Sequence, residues 1–177
     1  MTTSHPAVSL PSLRSVWCVT ALGRFLLVGD ERALFGIWRD GQAHFADGLP
    51  GIPPLSPNGG LPTLAAACDW LRRYAAGQRP EPAELTLHPA PTPFAQLVRD
   101  ALLRLPYGAT TTYGALAADI ATRTGRPAAA RAVGAAVARN RLLLVVPCHR
   151  VLGADGSLTG FAAGLDLKRR LLQLEHA

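Results

Sequence analysis

Several features are scarce in this 177-residue sequence, and each absence excludes a class of protein. The three cysteines, Cys18, Cys68 and Cys148, are odd in number and widely spaced, so they form neither a disulfide framework nor a C-x-x-C metal or redox pair. No apolar run approaches the roughly 18 residues of a membrane span. The N-terminus also lacks the basic start and apolar run of a signal peptide, so we expect a cytoplasmic protein without a membrane segment.

Charged residues make up 17% of the chain and hydrophobic residues 49%, a composition typical of folded globular proteins. Residues 1–93 carry seven Arg and seven Asp or Glu, whereas residues 94–177 carry eleven Lys or Arg and five Asp or Glu. The second half therefore holds the whole formal charge of +6. This asymmetry suggests that the second half binds a polyanion, although a requirement for solubility would explain it equally well.

The distribution of strand-like and helix-like patterns predicts an α+β fold with two domains. Short β-prone runs between residues 15 and 39, separated by turn residues, indicate hairpins of a small sheet. Residues 63–77 have a helical composition and end at a glycine, and residues 79–93 form a proline-rich linker. We expect a small sheet-plus-helix domain over residues 1–88, joined to a mostly helical domain over residues 89–177.

Three consecutive helices are predicted in the second half. Apolar residues recur at helical spacing over residues 94–105, and a second, shorter helix is expected over residues 111–121. A turn over residues 121–126 separates it from a third helix over residues 127–139, with Pro127 in its first turn. Two short helices joined by a glycine-containing turn are typical of a helix-turn-helix.

Three further features are predicted in the second half: a helix cap, a buried strand and a closing helix. Either Thr111 or Thr112 is expected to be the N-cap of the second helix. The apolar run over residues 141–147 predicts a buried strand that ends at the cysteine. Residues 166–175 predict a closing helix whose first residue is acidic, as the helix dipole favours.

The third predicted helix is composed almost entirely of Ala, Val and Gly. Helices that read base sequence present Asn, Gln, Arg or Lys to the major groove, and this helix has only Arg131 near its start and Arg139 at its end. A smooth helix with one long arginine suits groove filling or intercalation better than sequence readout. An Ala-rich core helix with solvent-facing arginines would fit the same spacing.

Cys148 is followed directly by His149 and Arg150, in the stretch VVPCHRVLG. A thiol becomes a nucleophile as its thiolate, which requires a nearby base, a cation or a helix N-terminus. A turn could bring either neighbour close to the sulfur. Taken alone, the pair is equally compatible with a buried, unreactive cysteine at the end of a strand.

The longer sequence context resembles the O6-alkylguanine-DNA alkyltransferases, a family of direct-reversal DNA repair proteins. The resemblance covers about residues 88–177, and the family motifs occur in the same order and spacing. They are found at Leu105-Pro106-Tyr107-Gly108, Thr112-Tyr113-Gly114, Ala130-Arg131-Ala132-Val133-Gly134, Asn140, Pro147-Cys148-His149-Arg150-Val151, Gly160-Phe161-Ala162-Ala163-Gly164, and Leu171-Leu172 with Glu175.

The resemblance implies a chemistry for these residues. The Cys148 sulfur would attack the alkyl carbon on O6 of guanine, after His149 has taken the thiol proton through a water. Glu175 would orient the imidazole, Asn140 would hold the same network together, and the Tyr113 hydroxyl would donate to O6 as the leaving group. The thioether product cannot be hydrolysed, so the protein would act once, without a cofactor or metal.

The resemblance also implies how the substrate is reached. The helix-turn-helix would enter the minor groove of duplex DNA with little sequence preference, and Arg131 would fill the space left by a flipped base. Further DNA contacts are expected from Thr112, Ala130, Gly134 and Arg139. The pocket for the base would be lined by Val151, Phe161, Ala162 and Ala163. The first half would be a ribonuclease H-like structural domain, and the protein would be a monomer.

Other interpretations remain open from the sequence. Tyr113 could be a core residue with a surface hydroxyl, Arg131 a simple phosphate contact, and Glu175 a frayed residue of the last helix. An alkyltransferase-like lesion-binding protein would flip the base without accepting the group, but such relatives lack the cysteine that this chain has. A thiol hydrolase using Cys148 and His149 would turn over repeatedly and would give the basic second half no role.

Overall fold

The computed structural model describes residues 13–56 and 60–176, so the N-terminal residues examined for a signal peptide lie outside it. A small sheet precedes a set of helices, which confirms the predicted α+β class. Within the described part of the chain, no helix is long and apolar enough to cross a bilayer. The elements are β1 (Arg14–Thr20), β2 (Gly23–Gly29), β3 (Leu34–Arg39), α1 (Pro62–Ala75), α2 (Pro93–Leu103), β4 (Thr111–Thr112), α3 (Tyr113–Thr124), α4 (Ala130–Ala138), β5 (Val151–Leu152) and α5 (Leu165–His176).

The three N-terminal strands form an antiparallel meander in the order β1-β2-β3, which confirms the predicted hairpins. Because side chains alternate along a strand, β2 supplies both faces of the sheet. Phe25 and Leu27 join the main apolar core with α1, whereas Leu26 and Val28 lie in a second, smaller cluster with Trp38. Both faces of the sheet are therefore covered.

Helix α1 ends close to the predicted glycine. Gly77 has a left-handed φ of 79°, a conformation open to glycine at little steric cost, and its amide donates to the Tyr74 carbonyl at 3.0 Å. The apolar residues of α1 pack inward, among them Leu71 and Tyr74. The last turn of α1 thus points an aromatic residue into the centre of the molecule.

Helices α2, α3 and α4 pack against one another, in the region where the helix-turn-helix was predicted. Thr112 is the N-cap of α3, since its hydroxyl accepts from the Ala115 amide at 3.1 Å. Leu116, Ala117 and Ile120 are buried on the inner face of α3. The helical spacing of the apolar residues over 94–105 also predicts Leu97 on the inner face of α2, and this was wrong, because Leu97 is 37% exposed.

Two predicted helix boundaries were wrong. Helix α3 continues to Thr124 and ends at Gly125, which has a left-handed φ of 67°, so the expected long turn over residues 121–126 is mostly helix. Helix α4 begins at Ala130, and Pro127 lies three residues before it in an extended segment. The fixed φ of proline is compatible with an extended segment as well as with a first helical turn, so the residue did not define the boundary.

The apolar run over residues 141–147 is a buried turn and not the predicted strand. Leu144 has a positive φ of 72°, and the Val146 amide donates back to the Leu142 carbonyl at 2.9 Å. The segment also pairs with the edge of the N-terminal sheet, because the Ile37 amide donates to Arg141 and the Leu143 amide to Ile37. Hydrophobic periodicity could not distinguish a buried strand from a buried turn here, since every residue of the run after Arg141 is apolar and buried.

Candidate active site

Cys148 is the first residue of a single 3₁₀ turn that follows the buried turn. Its amide donates to the Val146 carbonyl at 2.8 Å, which fixes the backbone. The Asn140 side-chain amide donates to the Cys148 sulfur at 3.1 Å and to the Val146 carbonyl at 3.0 Å. One asparagine therefore holds both the turn and the sulfur, as the predicted network requires.

The thiol of Cys148 is 4% exposed, and burial raises its pKa to about 11. The hydrogen bond from Asn140, the Lys168 ammonium and the backbone amides of Cys148 and His149 act in the opposite direction but do not overcome burial. With that pKa, about one thiol in ten thousand is ionised at pH 7. Nucleophilic use of this sulfur requires a base that removes its proton.

His149 is adjacent to the sulfur in sequence and is fully buried. Its Nε2 lies 2.8 Å from Glu175 Oε1. A carboxylate only accepts hydrogen bonds, so Nε2 carries the proton and Nδ1 has the free lone pair. Among the described residues, Nδ1 has no hydrogen-bond partner. Burial lowers the pKa of His149 below its ordinary value, so the imidazole is neutral at pH 7 and Nδ1 can accept a proton.

Glu175 is 3% exposed and is not a frayed surface residue. Its Oε1 accepts hydrogen bonds from Tyr74, His149 and Arg150, and its Oε2 accepts from Arg150 and from the Gly108 amide. Burial opposes ionisation, but the hydrogen bonds from His149 and Arg150 override it and hold the pKa of Glu175 well below its usual range. The carboxylate is a fixed charge that orients the imidazole.

Two residues of this environment were missed by the sequence analysis. Lys168 is completely buried, and its ammonium donates to the Val151 carbonyl at 2.5 Å and to the Thr159 carbonyl at 2.6 Å. Tyr74 reaches Glu175 from α1. The sequence signal for Lys168 was its position directly after Leu167 on the inner side of α5. Nothing in the sequence near Tyr74 indicated that Glu175 is its partner, because 101 residues separate Tyr74 from Glu175.

Tyr113 lies at the start of α3, and its hydroxyl is 3.3 Å from the Gly160 carbonyl and 3.4 Å from the Thr159 carbonyl. The parallel pairing of Thr111 with Val151 brings the start of α3 beside the segment that follows the cysteine. Burial and the nearby Cys148 raise the pKa of Tyr113, so its hydroxyl keeps the proton that a donor needs.

The four residues expected to line the base pocket differ in exposure. Phe161 and Ala162 are partly exposed, and the Phe161 ring meets the His149 ring edge-on at 6.4 Å. The side chains of Val151 and Ala163 are buried, and their expected place in the base pocket stays a prediction. The first half holds this loop in place, because Arg39 Nη1 donates to the Ala163 carbonyl at 2.9 Å.

A cavity of about 350 Å³ lies between α2 and α4, but it is not a pocket over the sulfur. Asn140 and Val146 form part of its wall, whereas Cys148 does not. Cys148 as a whole is 4% exposed, so only a small part of this residue meets solvent.

Helix α4 has one buried face and one exposed face. Val133 and Val137 are buried, while Ala130, Arg131 and Arg139 are exposed, so α4 is not a core helix. Arg139 Nη1 lies 3.7 Å from the Asp47 carboxylate. The Gly134 position faces the Tyr113 ring, where an added Cβ would lie 3.7 Å from the nearest ring carbon.

Comparison with known proteins decides the family. The model of the 6-O-methylguanine DNA methyltransferase DNA-binding domain matches residues 93–177. The methylated-DNA–protein-cysteine methyltransferase of Methanosarcina acetivorans is 41% identical to this chain over 155 residues, which cover 87% of the chain and 92% of the relative. The chain belongs to the methylated-DNA–protein-cysteine methyltransferase family. The family member of Mycobacterium leprae is 40% identical over 154 residues, which cover 87% of each protein.

The fold agrees with that of solved family members. The crystal structure of Mycobacterium tuberculosis OGT in complex with DNA superposes with a TM-score of 0.72 at 37% identity, covering 92% of this chain and 91% of that one. The matched DNA-binding domain contains all five residues expected to be catalytic, namely Cys148, His149, Glu175, Asn140 and Tyr113. Tyr74 lies outside it.

The expectation that no metal is used stays a prediction. Within residues 13–56 and 60–176, no group of three His, Cys, Asp or Glu side chains is arranged to hold a metal ion. His88 lies in a loop, where its side chain is 14% exposed and 3.0 Å from the Asp30 carboxylate.

Proposed function

We propose that this methyltransferase repairs O6-alkylguanine in duplex DNA by transferring the alkyl group to Cys148. The observation that carries the proposal is the arrangement of three groups: His149 directly follows Cys148 in the chain, and the Nε2 of His149 contacts the Glu175 carboxylate. A protonated, buried thiol precedes a neutral imidazole whose Nε2 is held by Glu175 and whose Nδ1 is left basic. This is the nucleophile–base–orienter arrangement of a catalytic triad.

The transfer follows from the charges of these groups. His149 Nδ1 takes the Cys148 proton through a water, and the sulfur attacks the alkyl carbon in line with the C–O6 bond. A C–S bond forms as the C–O6 bond breaks, and the electron pair of that bond goes to O6 of guanine. The Tyr113 hydroxyl, which lies near the Gly160 carbonyl, is the donor to this oxygen.

The reaction occurs once for each protein molecule. The product is a thioether, which is not an activated ester, and none of the polar groups around the sulfur makes an alkyl carbon–sulfur bond susceptible to water. The alkylated protein is therefore the end product. This stoichiometry distinguishes the proposal from a thiol hydrolase.

DNA binding is assigned to the exposed face of α4 and the start of α3. Arg131 fills the space of the flipped base from the minor groove, and the small side chains around it allow close approach to any sequence. Contacts from Thr112, Ala130, Gly134 and Arg139 complete this interface. The Thr112 hydroxyl accepts from the Ala115 amide as the cap of α3, and its own O–H proton stays free to donate to a phosphate oxygen.

The domain division is also a proposal, with a boundary between residues 88 and 89. The match to the DNA-binding domain begins at residue 93, close to this boundary, which supports it. The N-terminal domain is proposed to be a ribonuclease H-like unit that positions the second. Monomeric behaviour and a cytoplasmic location stay predictions.

An intact-mass experiment tests the function. Incubation with a duplex containing O6-methylguanine is expected to add one methyl group to each protein molecule, on the peptide that contains Cys148. The Cys148→Ala variant should bind the lesion and gain no mass. Unmodified wild-type protein that still binds the lesion would support the lesion-binding alternative, and repeated turnover of an ester would support the hydrolase.

A further inference from the structure

Tyr74 comes from the first half of the chain and makes its polar contacts inside the active site of the second. Its hydroxyl donates to Glu175 Oε1 at 2.5 Å and lies 3.3 Å from His149 Nε2, and the residue is 2% exposed. In the described residues, no other side chain of the first half is hydrogen-bonded to this carboxylate.

The position of the Tyr74 ring is fixed by its aromatic neighbours. Trp70 stacks on it with the ring centroids 5.3 Å apart and the planes 8° from parallel. Tyr107 meets it edge-on at 6.1 Å. Two aromatic contacts leave the hydroxyl little freedom to turn away from Glu175.

The direction of the hydrogen bond follows from the partners. Glu175 is an acceptor only, and His149 Nε2 uses its proton to donate to the same oxygen, so the Tyr74 hydroxyl can only be a donor here. Burial and the adjacent Glu175 charge raise the pKa of Tyr74, which keeps this donor protonated.

Three donors therefore share one carboxylate oxygen, from Tyr74, His149 and Arg150. A donor that stabilises the negative charge weakens the pull of that oxygen on the imidazole proton. Without the Tyr74 hydroxyl, Glu175 would attract positive charge on His149 more strongly, and the imidazole would bind a second proton at higher pH. A protonated Nδ1 cannot accept the proton of the thiol.

The other groups around His149 do not replace this effect. Glu175 and Lys168 face it from α5, Arg150 from its own turn, and Cys148 precedes it. The Arg150 and Lys168 charges both oppose protonation of the imidazole, and both remain when Tyr74 is changed.

We propose that Tyr74 is a positioning residue of the alkyl-transfer site, which holds Glu175 and keeps His149 in the form that accepts the Cys148 proton. This proposal rests on the proposed alkyl transfer. It also gives the first half of the chain a defined chemical role, beyond packing.

The test is Tyr74→Phe, which removes the hydroxyl and keeps the ring. Single-turnover transfer from an O6-methylguanine duplex is measured across the acidic range, with DNA affinity measured separately. We expect the transfer rate to fall roughly three- to tenfold on the acidic side, the size of effect that one hydrogen bond gives. The acidic limb of the pH profile should move to higher pH, with DNA affinity unchanged.

Tyr107→Phe is the matched control. Tyr107 packs in the same aromatic cluster, but its hydroxyl donates to the Leu174 carbonyl at 3.5 Å and has no other hydrogen-bond partner among the described residues. The control should keep the wild-type pH profile. If Tyr74→Phe also keeps the wild-type rate and profile and only its melting temperature falls, Tyr74 is structural and the proposal is wrong.

A second variant covers the case in which Tyr74→Phe does not fold. Site-specific 3-fluorotyrosine at position 74 keeps the ring and makes the hydroxyl a stronger donor, so the acidic limb should move to lower pH. No movement would overturn the proposal. Failure of the wild-type protein to transfer the methyl group would instead contradict the proposed function itself.

Discussion

Cys68 in the first half and Cys148 in the second are almost equally inaccessible, at 7% and 4% exposure, yet their surroundings differ. Cys68 lies beside Cys18, whose thiol is 3.7 Å from the Cys68 carbonyl, in an apolar core with α1. Cys148 contacts the Asn140 amide, lies near the Lys168 charge, and precedes a histidine that is held by a carboxylate.

The thiol that is expected to react, Cys148, has the higher pKa of the two. A hydrogen bond from Cys18 lowers the pKa of Cys68, whereas burial raises the pKa of Cys148. Of the three cysteines, all in the described part of the chain, Cys148 alone is followed directly by a histidine, whose pKa burial lowers. We therefore expect reactivity in this protein to depend on the route for the proton and on the access of the substrate more than on the resting acidity of a thiol.

The largest effect is expected on stability, when the buried carboxylate that binds His149 and Arg150 is removed. Glu175→Gln leaves the buried His149 and Arg150 without their carboxylate, and we expect a loss of about 3–5 kcal/mol in the free energy of unfolding. Urea denaturation measures this loss. Glu84→Gln in the first half is the control, because Glu84 forms an exposed pair with Arg73, and its change should be far smaller.

The Glu175 carboxylate also determines the direction in which the free energy of unfolding changes with pH. The pKa of Glu175 is lower in the folded than in the unfolded protein, so its contribution is complete above the unfolded value and is lost as the pH falls below it. Wild-type protein should lose more stability on acidification than Glu175→Gln. Equal losses in the two proteins would contradict the buried network.

The next prediction tests how a flipped base reaches Cys148, which depends on the exposed α4 of the second half. Arg131→Ala removes the side chain assigned to the space of the flipped base, and transfer from duplex DNA should slow roughly ten- to hundredfold. Iodoacetamide should still alkylate Cys148 at the wild-type rate. Arg123→Ala, which removes one exposed charge from α3, controls for net charge and should slow transfer much less.

A smaller effect is expected from the cysteine of the first half. Cys68→Ala should lower the free energy of unfolding by about 1 kcal/mol, the usual cost of a small change in a core. Peptide mapping should still find the methyl group on Cys148, with an unchanged transfer rate. A methyl group on Cys68 in the wild-type protein would overturn the comparison between the two thiols.

The smallest change is expected in the dependence of the transfer rate on pH. Because burial lowers the pKa of His149, its Nδ1 stays available above the ordinary histidine pKa of 6.5, and the single-turnover rate should be nearly constant from about pH 7 to pH 9. A reaction that used free thiolate alone would accelerate about tenfold for each pH unit, up to the thiol pKa of about 11.

The sequence by itself determined the elements whose patterns are local. The hairpins of the small sheet, a threonine cap at residue 111 or 112 and the existence of α3 follow from alternation, capping chemistry and helical spacing. The motif around Cys148 pointed to the family and to the five residues expected to be catalytic. The secondary-structure inferences needed only neighbours within a few residues, whereas the family inference used the order of motifs over about residues 88–177.

Other features were decided by tertiary contacts. The run over residues 141–147 is a turn because it pairs with the edge of β3, and Leu97 is exposed because the facing elements do not cover it. Lys168 is buried because two carbonyls from different segments converge on its ammonium. Tyr74 reaches Glu175 across 101 residues of sequence, since only the folded core brings α1 and the end of α5 together. Sequence records which groups a chain carries, but the charge state and partner of a buried group depend on what folding places around it.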